Sequence, residues 1–195
     1  MSSFGLKTQL RIAFIAVLLI VLILSSSALI SANKTASSFN EYQVQTANSA
    51  VISQLQEGLL MARIQAIKYF TEQSDAHIAN FNHWAAIVDR HITAARKNFI
   101  DPQNQKNIQV IETKFADYRK SFQALSQLYE TNVVPTQDLA SARDSIINGK
   151  LNVLGPELAE LLESTSTRIN RIQEDLGANV DNIVSMSNTI ISILL

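Results

Sequence analysis

The sequence predicts an all-α protein: an up-down-up-down four-helix bundle with an N-terminal transmembrane helix continuous with the first helix. Three observations carry that reading. No charged residue occurs from Ile12 to Asn33, with Lys7 and Arg11 before it and no acidic residue until Glu41. Downstream, apolar residues recur at alternating steps of three and four, and no segment shows the period of two that a strand requires. Only five glycines and three prolines punctuate the 195 residues, so helices can run long.

The apolar heart of the first segment, Ile12 to Leu24, reads IAFIAVLLIVLIL, and SSSALISA extends it. About 22 residues at 1.5 Å each span roughly 33 Å, enough to cross the hydrocarbon core of a bilayer. Basic residues stay on the cytoplasmic side. Residues 1–11 are therefore expected in the cytoplasm, 12–33 across the inner membrane, and 34–181 in the periplasm as a ligand-sensing domain. A cleaved signal peptide also begins with basic residues, and Ser26 and Ala28 could form its cleavage site. The uncharged run is longer than such a peptide needs. From Asn182 to Leu195 charge is again absent and the chain reads NTIISILL at its end. Residues 182–195 look like the start of a second transmembrane helix, truncated. A chain that returns to its starting membrane has a sensor's topology.

Composition narrows the class further. A net charge of −1 supplies no basic field for nucleic acid. The absence of cysteine excludes a disulfide scaffold and thiolate metal sites. An extracytoplasmic region of about 150 residues is large enough for a core of its own.

Four helical blocks follow. The first runs from about Asn33 to Thr71 or slightly beyond, with Ile52, Leu55, Leu59, Ala62, Ala66 and Tyr69 along its seam. Ser74 is positioned to cap the second, near Asp75 to Phe99, whose seam is Ile78, Phe81, Ala85, Val88, Ile92, Ala95 and Phe99. Asp101 followed by Pro102 is a cap-plus-first-turn signal for the third. Its seam carries Ile108, Ile111, Phe115, Tyr118, Phe122, Leu125 and Tyr129. The fourth starts after Val133-Val134-Pro135 with Thr136 as cap, and Leu151, Leu154, Leu158, Leu162, Thr165, Ile169, Ile172, Leu176 and Ile183 lie along it. A 3.5-residue repeat on several helices is the seam of a left-handed bundle. The two steps of four around Leu158, with Gly155-Pro156 beside them, predict a kink or short break at that dipeptide.

Lengths close as well. About 70 residues rise and about 72 descend, an imbalance of only about 3 Å at 1.5 Å per residue. The first and fourth helices must then form the stalk next to the membrane.

Enzyme signatures are missing: no phosphate-cradling glycine loop, no HExxH and no GxSxG. The expectation is a protein that is not an enzyme and needs no cofactor. His77, Trp84 and His91 share one heptad position beside the second helix's seam. That spacing suits half-buried aromatic residues better than metal ligands, which favour i and i+4; His83 reads as solvated. Glu112, Asp117, Glu160 and Glu163 read as ordinary solvent-facing charges.

Arg63 is the sharper candidate. The seam puts Ala62 in the core and Arg63 beside it, about 16 Å below the distal turn. Matching heights on the other helices bring Trp84, Val88, Tyr118, Arg119, Arg143 and Asn148 to its level. A partly desolvated arginine suits bidentate recognition of a carboxylate, and Lys68 could add a second cation. Pairing with solvated acids such as Glu57 or Glu72 is the competing reading. The candidate ligand-binding set is Arg63, Lys68, Trp84, Tyr118, Arg119 and Arg143, with no catalytic or metal residue. Leu60, Ile64 and Ile67 form a further apolar strip on the first helix, which a two-fold homodimer would cover.

The segment AxIQAIKYF, with Arg63 at the x and Lys68 five residues on, resembles the first helix of bacterial methyl-accepting chemotaxis proteins with a four-helix-bundle sensor domain. LNVLGPELAELL in the last helix is similar to a Gly-Pro segment of related helical sensors. The resemblance spans nearly the whole chain through loose motifs. It implies that Arg63 and Lys68 occupy the basic positions facing an amino-acid ligand. It departs at Glu72, where the aspartate-binding members carry a further arginine. Their linker, methylation helices and kinase-contacting tip are not within these 195 residues. The expected function is a transmembrane chemoreceptor. Its partners would be a carboxylate-bearing small molecule, or a ligand-loaded periplasmic binding protein, and a second copy of itself. The sensor region of a membrane histidine kinase and a structural helical membrane protein are the alternatives.

Overall fold

In the computed structural model, which describes residues 5–130 and 136–194, every long element is a helix. In order these are α1 (Leu6–Glu72), α2 (Asp75–Asn98), α3 (Pro102–Glu130), α4 (Thr136–Ile146), a π-helical turn (Ile147–Leu151) and α5 (Asn152–Leu194). No strand occurs among the described residues. The all-α class read from the three-four periodicity therefore holds.

The helix boundaries follow local chemistry. Ser74 lies outside the helix with extended backbone, and its hydroxyl accepts the Ala76 N–H at 3.3 Å. One carboxylate oxygen of Asp101 accepts the Asn104 N–H at 2.9 Å, while Pro102 takes the first helical position, where a missing N–H costs nothing. Between α1 and α2, Gln73 adopts φ 49°, and its N–H closes onto the Tyr69 carbonyl at 3.0 Å. A left-handed residue at that point ends a helix, a place usually given to glycine. The loop Val133-Val134-Pro135 and the proposed Thr136 side-chain cap lie outside the described residues; α4 begins at Thr136 itself.

Of the kink or short break expected at Gly155-Pro156, the break does not form. Helix α5 runs through Pro156, and the irregularity lies one to two turns earlier, in the π-helical turn Ile147–Leu151. The Asn152 N–H reaches back to the Ile147 carbonyl, five residues away. One extra residue in that turn re-phases the helix before the proline arrives. The predicted fourth block is thus one continuous helical run in three pieces.

The chain divides into two compact units, Val44–Arg171 and Met1–Gln43 with Ile172–Leu195. In the larger unit the predicted seams form one apolar cluster drawn from α1, α2, α3, the π turn and α5. Ile52, Leu55, Phe81, Phe115, Phe122, Leu158 and Ile169 are each at most 1 % exposed. Ile78, Tyr129 and Leu154 pack on it partly buried. Gly58 marks a close approach of α1 and α2, since a Cβ there would stand 2.9 Å from a Val88 methyl. The seams also continue through polar positions. Gln45 and Asn48 extend the α1 pattern and Asn104 that of α3, and all three are buried. Opposite charges pin the α2–α3 turn to α5, with the Arg168 guanidinium donating two 2.8 Å bonds to Asp101.

In the smaller unit, α1 carries a stretch long and apolar enough to cross a membrane, the one such helix among the described residues. Its side chains from Ile12 to Ile23 are largely exposed.

Candidate functional site

Four lysine or arginine side chains are half-buried among the described residues: Arg63, Lys114, Arg119 and Arg143. Three have carboxylate partners. Lys114 Nζ lies 2.7 Å from Glu157, Arg119 donates to Asp89 at 2.6 Å, and Arg143 Nε is 3.6 Å from Asp144. Arg63 has no carboxylate partner among the described residues. The predicted competitors are engaged or distant: Glu72 accepts from His77 Nε2 at 2.7 Å, and Glu57 makes no ion pair with Arg63.

The surroundings of Arg63 are built by two other helices. From α5, Gly155 presents its bare backbone to the guanidinium; a Cβ there would come within 2.7 Å of Arg63 Nε and 3.2 Å of its Cζ. The glycine of the Gly-Pro segment therefore makes room for the arginine of the first helix. From α3, the Tyr118 ring is 2 % exposed. Burial pushes its phenol up to about 12, with the Arg63 charge pulling the other way. A guanidinium set against a bare backbone and within electrostatic reach of a buried phenol, with a free donor face, can take an anion bidentately.

The remaining predicted residues spread over several environments. Lys68 is exposed, on the last turns of α1. Trp84 is half-buried against the core with its ring edge-on to His83, centroids 5.5 Å apart. Arg119 is occupied by Asp89. Arg143 has its charge favoured chiefly by the Tyr129 phenol, although neither Tyr129 Oη nor Arg143 Nε meets a partner in good hydrogen-bonding geometry. Of the predicted set, Arg63 and Tyr118 are brought together electrostatically.

Two features escaped the sequence reading. Gly155 was read as a helix breaker rather than as a seat for a side chain. His77, expected to flank the core, bridges α1 and α2 through Gln65 Oε1 at 2.9 Å and Glu72 Oε2 at 2.7 Å. That bond holds the Glu72 carboxyl below its ordinary range. Glu112 and Glu163 are likewise not bare surface charges, the first paired with Arg96 and the second accepting from Gln56. Neither partnership leaves a mark in one-dimensional spacing. No group of three or more histidine and carboxylate residues that could hold a metal ion occurs among the described residues.

No curated protein and no solved structure matches the chain. A family model does: the helical bimodular sensor domain, over residues 43–148. The matched span holds Arg63, Trp84, Tyr118, Arg119 and Arg143. With more than half of its 195 residues so matched, the chain belongs to the helical bimodular sensor domain family.

Proposed function

We propose that this protein is the sensing part of a transmembrane chemoreceptor, and that Arg63 binds the carboxylate of a small organic acid or amino acid. The family and the apolar N-terminal helix make it a signal-sensing membrane receptor. The observation that carries the finer reading is Arg63 itself, the one half-buried cation without an acid among the described residues, set on Gly155 within electrostatic reach of a buried phenol. Leaving a partly desolvated charge unpaired is costly for folding alone; a ligand carboxylate would supply the missing partner.

The rest of the proposal follows from the layout. Lys7 and Arg11 stay in the cytoplasm, α1 crosses the inner membrane, and the sensing bundle rises and descends twice in the periplasm before the last helix returns. Leu60 and Ile67 are 55 % and 54 % exposed, with Ile64 half-buried between them, a strip that a second copy would cover. Ligand binding can shift the receptor only through different affinities for its two states. A slide of α5 by about 1–2 Å is the corresponding output motion. A membrane histidine kinase would use the same sensing part, and only its output differs.

Losing a charge-assisted contact to a buried carboxylate costs roughly 2–5 kcal/mol, more than tenfold in affinity. In titrations of carboxylates against the full chain in nanodiscs, Arg63→Ala should weaken binding by more than tenfold while melting stays at or above the parent value. Gly155→Ala should also weaken it by displacing the guanidinium. Equal affinity in the Arg63→Ala protein overturns the site. An alkaline phosphatase fusion at Gly149 should be active, and an inactive fusion overturns the topology.

A further inference from the structure

The larger unit also holds a concavity that Arg63 does not line. A cleft of about 390 Å³ opens between α3 and the run that leads from α4 through the π turn into α5. Its size falls in the range of small-molecule sites. Ala124, Ile146, Val153 and Leu154 give it an apolar lining. Lys120 from α3 and Lys150 from the π turn bring two cations to it, against one carboxylate, Asp117. None of these three makes an ion pair among the described residues.

The backbone explains why the space is open. The π turn adds a residue to the helical run, and such turns are enriched where side chains are re-aimed at functional sites. Gly149 sits in that turn and lines the cleft. A Cβ placed on it would meet nothing within 4 Å, so no packing demand requires glycine there. Ser121, on the opposite wall, is buried and spends its proton on the Asp117 carbonyl at 2.8 Å. It therefore offers no donor that would compete with the two lysines for an anion.

We infer that this cleft is a binding site for a small amphipathic carboxylate, with the acid at Lys120 and Lys150 and the hydrocarbon on Ile146, Val153 and Leu154. The charge balance favours an anion by one unit. Asp117 leaves room for an α-ammonium group on the same molecule, so plain acids and amino acids share the chemistry. The site does not depend on the role proposed for Arg63. A ligand here would press on the π turn and α5, next to Gly155.

Three probes of nearly equal shape separate the terms: 4-methylpentanoate, leucine, and 3-methylbutylamine, each titrated calorimetrically against the full chain in nanodiscs. Binding of at least one of the two carboxylates, with none of the amine, is expected. Preference for leucine would assign its ammonium to Asp117, and preference for 4-methylpentanoate would leave Asp117 a bystander; either supports the site. Lys120→Gln and Lys150→Gln should each weaken binding about three- to fivefold, the scale of an exposed ion pair. Gly149→Leu should abolish it while melting stays at or above the parent value, because leucine favours helix over glycine and its Cβ would meet nothing within 4 Å. Arg63→Ala should leave it unchanged. The inference is overturned if neither carboxylate binds, or if the amine binds as well as they do. Binding that survives both Gly149→Leu and Lys150→Gln overturns it too, and its loss in Arg63→Ala would move the ligand to the other site.

Discussion

The two ends of the larger unit are built on different physics. At the end bearing the α1–α2 turn, the core is aromatic. Tyr69 meets Phe122 and Tyr129 edge-on at 5.5 Å and 5.8 Å, and Phe81 stacks on Phe122 at 3.9 Å and on Tyr118 at 6.2 Å. At the end bearing the α2–α3 turn, the same seams turn polar. Asn48 and Asn104 are 2 % and 1 % exposed, and each has a side-chain oxygen without a partner. That end is held instead by directional bonds, the Asp101–Arg168 fork and the 3.1 Å bond from Asn107 to Thr165. Aromatic packing resists any change of register, because interlocked rings must separate before they slide. A polar layer has several nearly equivalent pairings. The contrast places the stiff end beside Arg63 and the adjustable end further along the same helices.

The comparison is broken most forcefully at Phe122. It is 1 % exposed and touches two of the four other rings in the cluster. Phe122→Ala should cost about 3–5 kcal/mol through lost burial and the cavity left behind. Chemical denaturation of the full chain in detergent would read this as a lower midpoint at unchanged slope. A loss below about 1 kcal/mol would mean that the aromatic end is not the stable one.

A second effect isolates one ring by pH. The Tyr118 phenol stands at about 12 in the folded protein against 10.0 as its ordinary value, chiefly through burial. A raised pKa means the folded state holds the proton more tightly. The associated stability is complete below pH 10 and is lost as pH climbs through the folded value. Two units correspond to roughly 2–3 kcal/mol. Stability should therefore fall between pH 10 and 12, and Tyr118→Phe should remove most of that slope. Tyr69, also raised by burial, accounts for a smaller remainder. An unchanged slope in the phenylalanine variant would show that the phenol is solvated.

Apolar periodicity was enough to place the core, because a seam that repeats every three and four residues has only one way to face inward. Every predicted apolar seam position from Ile52 to Tyr69 is buried, as is every one from Phe81 to Phe99. Polar seam positions were passed over: Gln45, Asn48 and Asn104 keep the same spacing, and extending the period past the last apolar residue would have found them. The sequence points to an irregularity at Gly155-Pro156 and not at the π turn Ile147–Leu151, because composition marks a proline but leaves no trace of an inserted residue. For the candidate site, the seam offset located Arg63 beside the core and the height matching brought up Tyr118. Occupancy was not legible. Whether a cation is free depends on which acid reaches it, and Asp89 claims Arg119 from thirty residues away in the chain.

The smallest effect carries the opposite sign and so sharpens the comparison most cleanly. Asn104 is 1 % exposed and its side-chain oxygen has lost water without gaining a donor. An unsatisfied buried acceptor forfeits its solvation, whereas an apolar group of similar volume forfeits nothing and gains contact. The residue sits in the first turn of α3, where its backbone N–H is already held by Asp101, so the cap survives substitution. Asn104→Leu should therefore stabilise the protein by about 1 kcal/mol. If the polar layer is what lets α5 shift, the variant should also answer ligand less: binding at Arg63 persists, but the ligand-induced change in crosslinking between copies at Leu60 shrinks. Destabilisation of about 1 kcal/mol or more by Asn104→Leu would show that the asparagine oxygen is satisfied by water, and that this end is as firmly specified as the other.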